Sequence, residues 1–390
     1  MNIVFFSNPD FFGSQKTPQF MSMPRFTNML AEGMQKRGHK VTVWSPGSTF
    51  FGLVKKGPLK KWMGYIDQYI VFPATVRKRI KSCSPDTLFV FTDQAQGPWV
   101  PLVSHKNHVM HCHDLLAQFS ALGKIKDQPL GWTGKRYQSF IRNGLLKARH
   151  FISVSNKTNA DLMQVLTDKA GSTHVVYNGL DDIYQPGDAV KSRKLLTEKT
   201  GLDLGTGYLM HVGGNQWYKN REGVVELYSA WRSLNASKKL PLLLIGSQPS
   251  ASIEEAIQNS PYKKDIHVVS NLSDSYVRHA YSGATLFLFP SLAEGFGWPI
   301  AEAMASGCPV LTTNAAPMTE VAGDAAFLIP QRYAVNSATW AHDSALIVDK
   351  AVNMTEDQRQ ETIRKSIENA KRFDHNKALD KIEGIYANIA

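Results

Sequence analysis

Short apolar runs alternate with longer amphipathic stretches along this chain. The first run, NIVFF, precedes PRFTNMLAEGMQKRG, in which Phe26, Met29, Leu30 and Met34 recur at helical spacing. KVTVWS, TLFVF, HVMHC, HFISVS and HVVYNG follow, mostly separated by stretches of helical pattern. Runs that stay apolar throughout suit strands buried on both faces. The strand–helix–strand order therefore predicts a parallel sheet covered by helices on each side. NGLDDIYQPGD, from Asn178 to Asp188, is the strongest loop and marks a domain boundary. The pattern then restarts with YLMHVGG, the helical REGVVELYSAWRSL, and the runs PLLLIG, IHVVSNL, TLFLFPS, CPVLTT and AAFLIP. Three helical segments, from about Ser337 to Ala390, close the chain. In the last, Ile382, Ile385 and Tyr386 share a face, and the helix at about 376–390 is expected to pack back on the first domain.

A chain of 390 residues exceeds one ordinary core. The predicted fold class is α/β, with two Rossmann-like doubly wound domains, residues 1–180 and 181–375. Open sheets of this kind bind ligands beyond the carboxyl ends of their strands, so a central cleft lined by those ends is expected.

Charge sharpens the picture of the first half. Residues 1–180 carry 23 basic and 9 acidic side chains, residues 181–390 carry 21 and 24, so the whole excess of +11 lies early. Its densest part, residues 51–81, holds Lys55, Lys56, Lys60, Lys61, Arg77, Lys78, Arg79 and Lys81 against the single acid Asp67. With Trp62, Tyr65 and Tyr69 interleaved, it has the make-up of a patch that lies on an anionic membrane surface. A solvated basic face and a nucleic-acid contact are the competing readings, but no nucleic-acid module accompanies the segment. No apolar run approaches the roughly 18 residues of a spanning helix. MNIVFFSNPD lacks a basic leader and reads as a first strand. Three scattered cysteines, Cys83, Cys112 and Cys308, suit a reducing compartment. HCHD, His111 to Asp114, has no partner ligands at zinc spacing, so no metal site is expected.

Candidate chemistry gathers after the apolar runs. FPSLAEGFGWPIAEAMASGCPV joins a buried strand to a helix expected over Pro299–Ser306, with Gly307 just past its end. Gly295 and Gly297 let main chain approach a ligand, and the helix N-terminus offers unpaired N–H groups to a phosphate. Two hydroxyls of a diol can donate to one carboxylate. Glu302, expected in the first helical turn, thus suits a ribose, and Glu294 a sugar ring. Singly, each also suits a plainer role: Glu302 as an acid favoured by the helix dipole, Glu294 as a solvated loop acid. HVGGNQWYKNREGV repeats the strand–glycine–helix theme and sets Lys219 just before its helix, where an ammonium can meet a diphosphate. The chain has no P-loop motif and no D-x-D pair for a nucleotide-bound Mg²⁺. Diphosphate charge would then fall to Lys219, Arg221 and helix N-termini.

Glu294 and Glu302 form E-x7-E inside E-G-F-G-x-P-x-x-E-A-M-A-x-G-x-P-V. Together with NAAPMTEVAGDAAFLIP, the Lys219–Asn220 segment and VVYNGLD, this resembles the retaining glycosyltransferases of family 4, which have the GT-B fold. The resemblance is strong over residues 150–330 and weaker in the first half. It implies that Glu294 contacts the donor sugar, Glu302 the ribose, and the main chain of Gly295, Phe296 and Gly297 the sugar and phosphates. It further implies Lys219 on the diphosphate, His113 beside the donor sugar and acceptor, and Gly13 near the phosphate. The family's usual arginine is missing from the glycine loop, where Gly214, Asn215 and Gln216 stand; either Arg221 substitutes or the charge is met by one side chain fewer, and Gly214 and Asn215 count among the donor-binding residues. Trp298 and Met23 are expected to line the pocket.

The implied reaction is metal-independent transfer of a hexosyl group, with retention, from a GDP-mannose or UDP-hexose type of donor. The acceptor is a hydroxyl of a glycan or lipid-linked molecule, in envelope polysaccharide or glycolipid synthesis. No cofactor is implied beyond the nucleotide sugar, and no nucleic-acid partner. The implied location is cytoplasmic, at the inner face of the plasma membrane. A nucleotide-sugar epimerase, a sugar phosphorylase and a non-catalytic nucleotide-sugar-binding subunit share the architecture. A nicotinamide-dependent dehydrogenase fits poorly, because neither first strand is followed by G-x-G-x-x-G.

Overall fold

A computed structural model of the chain describes all residues except 10, 12–21, 126–127, 167–169, 235–238 and 333–335. They form two units, Met1–Tyr177 with Asn376–Ala390, and Asn178–His375.

The first unit is built on six parallel strands: β1 (Asn2–Phe6), β2 (Lys40–Trp44), β3 (Leu88–Phe91), β4 (His108–Cys112), β5 (His150–Ser153) and β6 (Ser172–Val175). Their order is β2-β1-β3-β4-β5-β6. Its helices are α1 (Ser22–Lys36), α2 (Pro58–Ile66), α3 (Phe72–Ile80), α4 (Leu116–Ala121), α5 (Trp132–Leu145) and α6 (Asn156–Met163). In β3 and β4 every residue is buried, as expected where helices cover both faces. Phe6 stacks on Phe91 with centroids 4.6 Å apart and meets the edges of Trp44 and Phe72, which ties three strands to α3. Between α2 and α3 the chain makes a π-helical turn, Asp67–Val71. Gly144 of α5 lies directly against Gly97 of the 3-10 segment Gln94–Leu102: a Cβ on Gly144 would stand 2.0 Å from the Gly97 carbonyl oxygen.

The second unit repeats the plan with β7 (Leu209–Gly213), β8 (Leu242–Gly246), β9 (Ile266–Val269), β10 (Leu286–Phe289), β11 (Val310–Thr313) and β12 (Ala326–Ile329). The order is β12-β11-β10-β7-β8-β9, again all parallel. Its helices are α7 (Ala189–Thr200), α8 (Arg221–Leu234), α9 (Ala251–Asn259), α10 (Asp274–Gly283), α11 (Trp298–Ala305), α12 (Met318–Ala322), α13 (Ser337–Val352) and α14 (Glu356–Ala370). Trp231, Tyr228 and Trp340 are fully enclosed in its core.

The last helix, α15 (His375–Ile389), lies almost wholly in the first unit. Leu379 fills the space left by Gly33, whose added Cβ would be 2.5 Å from the leucine methyl. Arg37 donates to Asp380 at 2.7 Å, His39 Nε2 meets Glu383 at 2.7 Å, and the Tyr386 hydroxyl bonds His111 Nε2 at 2.7 Å.

Two wholly enclosed histidines give the fold a pH signature. Burial pushes the His111 imidazole down to about 3, and burial does the same for His211, with Arg221 and Lys219 adding to the effect. An unfolded histidine titrates near 6.5, so between that value and the folded one the unfolded chain binds more protons. Stability from these groups is whole above about pH 6.5 and is lost as pH falls, by up to about 1.4 kcal/mol per pH unit for each histidine. The melting temperature is expected to drop between pH 6.5 and 5, above the carboxylate range; a flat profile there would contradict the assignment.

Candidate active site

The second sheet reverses direction between β7 and β10, since the chain runs outward from β7 through β8 to β9 and from β10 through β11 to β12. Connections leaving two such neighbours depart to opposite faces and leave a crevice beyond their carboxyl ends. The two loops singled out by sequence, Gly214–Asn220 and Pro290–Gly297, both start there.

They are bonded to each other. Lys219 Nζ donates to both oxygens of Glu294, at 2.8 and 3.0 Å, with the two side chains only 16% and 8% exposed. The ammonium also lies 5.3 Å from the Phe289 ring centroid and 5.5 Å from that of Tyr218. Asn220, in a left-handed conformation with φ 53°, buries its amide and donates to the Pro290 carbonyl at 2.9 Å. Gly223 makes this tuck feasible, because a Cβ there would stand 2.4 Å from Asn220 Oδ1. The Leu292 N–H completes the seam by donating to Tyr218 O at 2.8 Å. Beneath it, Gly246 (φ +135°) brings β8 so close to β7 that a Cβ would meet the Gly213 carbonyl oxygen.

Arg221 opens α8 and is 2% exposed. One guanidinium nitrogen, Nη1, donates to Asn215 Oδ1 at 2.5 Å and to the Ser247 carbonyl at 2.9 Å, while Asn215 Nδ2 donates to Gln248 O. These bonds brace the glycine loop against the end of β8. Nε and Nη2 are buried without a partner, and burial alone draws the guanidinium below its usual range. The His211 ring donates through Nδ1 to Leu288 O at 2.9 Å, leaving Nε2 buried and unpartnered.

Glu302 departs from expectation. Helix α11 starts at Trp298, so Glu302 lies in its second turn, beyond the reach that would make it a simple dipole-favoured acid. It is buried, and its Oε2 accepts from the Tyr281 hydroxyl of α10 at 3.4 Å. The Phe296 ring turns inward, edge-on to Phe373 at 5.4 Å, which leaves its main chain for a ligand, the part expected to touch one. Gly297 caps α11 with φ +104°, a conformation that favours glycine, and Gly295 precedes it in the loop.

His113 belongs to the first unit, just past β4. Its Nε2 donates to Thr92 O at 2.9 Å, its backbone N–H donates to Gln94 Oε1, and its ring meets the edge of Phe26 at 4.5 Å. Burial lowers its pKa, opposed by Asp93 and by the Thr92 carbonyl. Gly13 lies outside the described residues. The direct Lys219–Glu294 contact, the Asn220 tie and the enclosed His211 were not anticipated from sequence. The one available signal was the Asn-x-x-Gly spacing of Asn220 and Gly223.

Two families match the chain in sequence: the one described as Glycosyl transferases group 1 over residues 193–372, and Glycosyltransferase Family 4 over residues 23–183. An MMP alpha-(1->4)-mannosyltransferase of Mycolicibacterium hassiacum is 28% identical over 195 residues, 48% of this chain and 43% of that protein. O-antigen chain mannosyltransferase B of Escherichia coli is 30% identical over 121 residues, 30% of this chain and 32% of that protein. The matches thus span less than half the length of either relative. In structure, HepE from Anabaena, solved in complex with UDP and glucose, aligns over all of both chains with a TM-score of 0.73 at 15% identity, a likeness of fold.

Proposed function

We propose that this chain, which belongs to the family 4-type glycosyltransferases of GT-B fold, transfers a hexosyl group from a nucleoside diphosphate sugar to a hydroxyl, with retention at the anomeric carbon. The observation that carries the reading is the Lys219–Glu294 pair at the β7/β10 reversal. One ammonium and one carboxylate stand together where an open sheet takes its ligand, and the two ends of a nucleotide sugar need those two charges.

In this reading Lys219 and the N-terminus of α11 stabilise the departing diphosphate, Glu294 accepts from sugar hydroxyls, and Glu302 from the ribose. Stabilising charge that develops in the transition state is the largest single contribution such a site makes. The departing phosphate deprotonates the acceptor on the same sugar face, so no dedicated nucleophile is required. Arg221 braces the glycine loop and supplies a second positive charge behind it. His113 stands beside the donor sugar and acceptor in this reading, and Gly13 near the phosphate. Mannosyltransferases among the relatives favour a GDP-mannose donor, and the UDP-bound HepE keeps UDP-hexoses in the test. A thermal-shift panel of UDP-, GDP- and ADP-sugars checks this: a donor that binds only the folded chain raises its melting temperature by mass action. No shift with any of them would end the proposal.

The acceptor is glycan or lipid-linked and is met at the inner membrane face. Residues 51–81 support this. Asp67, their one acid, is buried and accepts the backbone N–H groups of Phe50 and Phe51, so its charge is withdrawn from the surface. Leu59, Trp62 (64% exposed) and Ile70 (65%) face solvent beside Lys55, Lys56 and Lys61. Helix α5 widens the surface: Tyr137 and Phe140 pack on Tyr65 and Tyr69, and Trp132 stands 71% exposed with Arg136 over its ring. No helix among the described residues is long and apolar enough to cross a membrane. Changing Lys55, Lys56, Lys60 and Lys61 to glutamine is expected to lower partition onto phosphatidylserine vesicles at least tenfold, at about 1 kcal/mol per lysine. Sedimentation with the vesicles measures it, and equal partition would rule the surface out.

A further inference from the structure

We infer that the Lys219–Glu294 ion pair lets the site tell an intact sugar donor from the nucleoside diphosphate that remains after transfer. The inference rests on the donor-site reading above and concerns what the pair does when a ligand displaces it.

The pair is closed. Two of the three ammonium N–H groups are aimed at Glu294, and the rings of Phe289 and Tyr218 flank the same nitrogen. Neither charged group reaches bulk water freely, with exposures of 16% and 8%. A diphosphate that takes the ammonium leaves Glu294 as a largely enclosed carboxylate beside a second anion. Removing one partner of such a pair is costly because the other charge stays behind, poorly solvated. The nearby His211 is held neutral by its burial and offers no replacement charge. Arg221 is fixed to Asn215 and Ser247.

An intact donor solves this problem, since its sugar hydroxyls donate to the carboxylate that the lysine has left. The free diphosphate has no such hydroxyls at that end. The same negative charge that receives the sugar therefore raises the free energy of the product complex and hastens its release. Separate ends of the donor for Glu294 and Lys219 would not contain this coupling; it follows from the two being bonded to each other.

Calorimetric titration of the full chain with UDP, GDP and ADP tests it, with the fold of each variant verified by circular dichroism. The diphosphate that binds the unaltered protein is expected to bind Glu294→Gln about tenfold more tightly, as loss of one like charge across a partly buried site implies. The matching nucleotide sugar should gain nothing or bind more weakly. Glu294→Ala, which cannot re-form any bond to the lysine, should show the same inverted preference. Unchanged or weaker diphosphate binding by both folded variants would overturn the inference. Lys219→Met separates the two levels of the argument: if it binds both the diphosphate and the nucleotide sugar as tightly as the unaltered chain does, the donor-site reading falls and takes the inference with it.

Discussion

Lys219→Met is expected to lower kcat/KM for sugar transfer by a hundredfold to a thousandfold. The substitution keeps an unbranched apolar side chain but removes the ammonium that lies over the Phe289 ring and pairs with Glu294 at the β7/β10 reversal. Loss of a single preorganised group facing developing negative charge has that order of effect. The variant should also be less stable, because breaking a buried pair costs about 3–5 kcal/mol and the Glu294 carboxylate left behind is only 8% exposed. Rates of nucleoside diphosphate release in the presence of a membrane extract, set against melting temperatures of the same samples, separate the two. A variant with near-normal rates would show that the diphosphate charge is met elsewhere.

Gly144→Ala is expected to cause the largest loss of stability among single-methyl additions in the first unit, about 3 kcal/mol or more. The new Cβ would stand 2.0 Å from Gly97 O and 2.8 Å from Pro98 N, and neither is a side chain that can swing away. Helix α5 would have to lift off the segment Gln94–Leu102, whose start holds the Gln94 and Asp93 contacts around His113. Urea unfolding measures the shift. By contrast Gly134→Ala, on the same helix, meets only the Leu130 side chain at 3.3 Å and should change stability by less than about 1 kcal/mol, since adding a methyl at a helical glycine also favours the helix.

Much of this architecture was legible beforehand because parallel strands buried on both faces announce themselves as unbroken apolar runs. LFLF at β10 and LLLIG at β8 are completely enclosed, and no alternation blurs them. The restart of the pattern after Asn178 likewise revealed a second sheet. Less legible was anything decided by a side chain's direction. Glu302 was expected in a first turn because Pro299 suits a first helical position; the helix in fact takes in Trp298, which puts the glutamate in the second turn, where it accepts from the Tyr281 hydroxyl. Phe296 sits between two glycines in a loop, yet its ring is recruited by Phe373, some eighty positions away in sequence, which no local pattern reveals. The pairing of Lys219 with Glu294 depends on which strands become neighbours, a fact of topology that periodicity does not carry.

The first unit is assembled from two stretches that the second unit separates in sequence. Because Asn376–Ala390 completes it, a ribosome releasing the opening 177 residues has made a sheet whose His111 and Gly33 still await Tyr386 and Leu379, side chains that emerge only after the entire second unit. A purification handle fused after Ala390 therefore sits on the first unit, not the second. A stop codon that trims the final fifteen residues would injure the lobe encoded farthest from it.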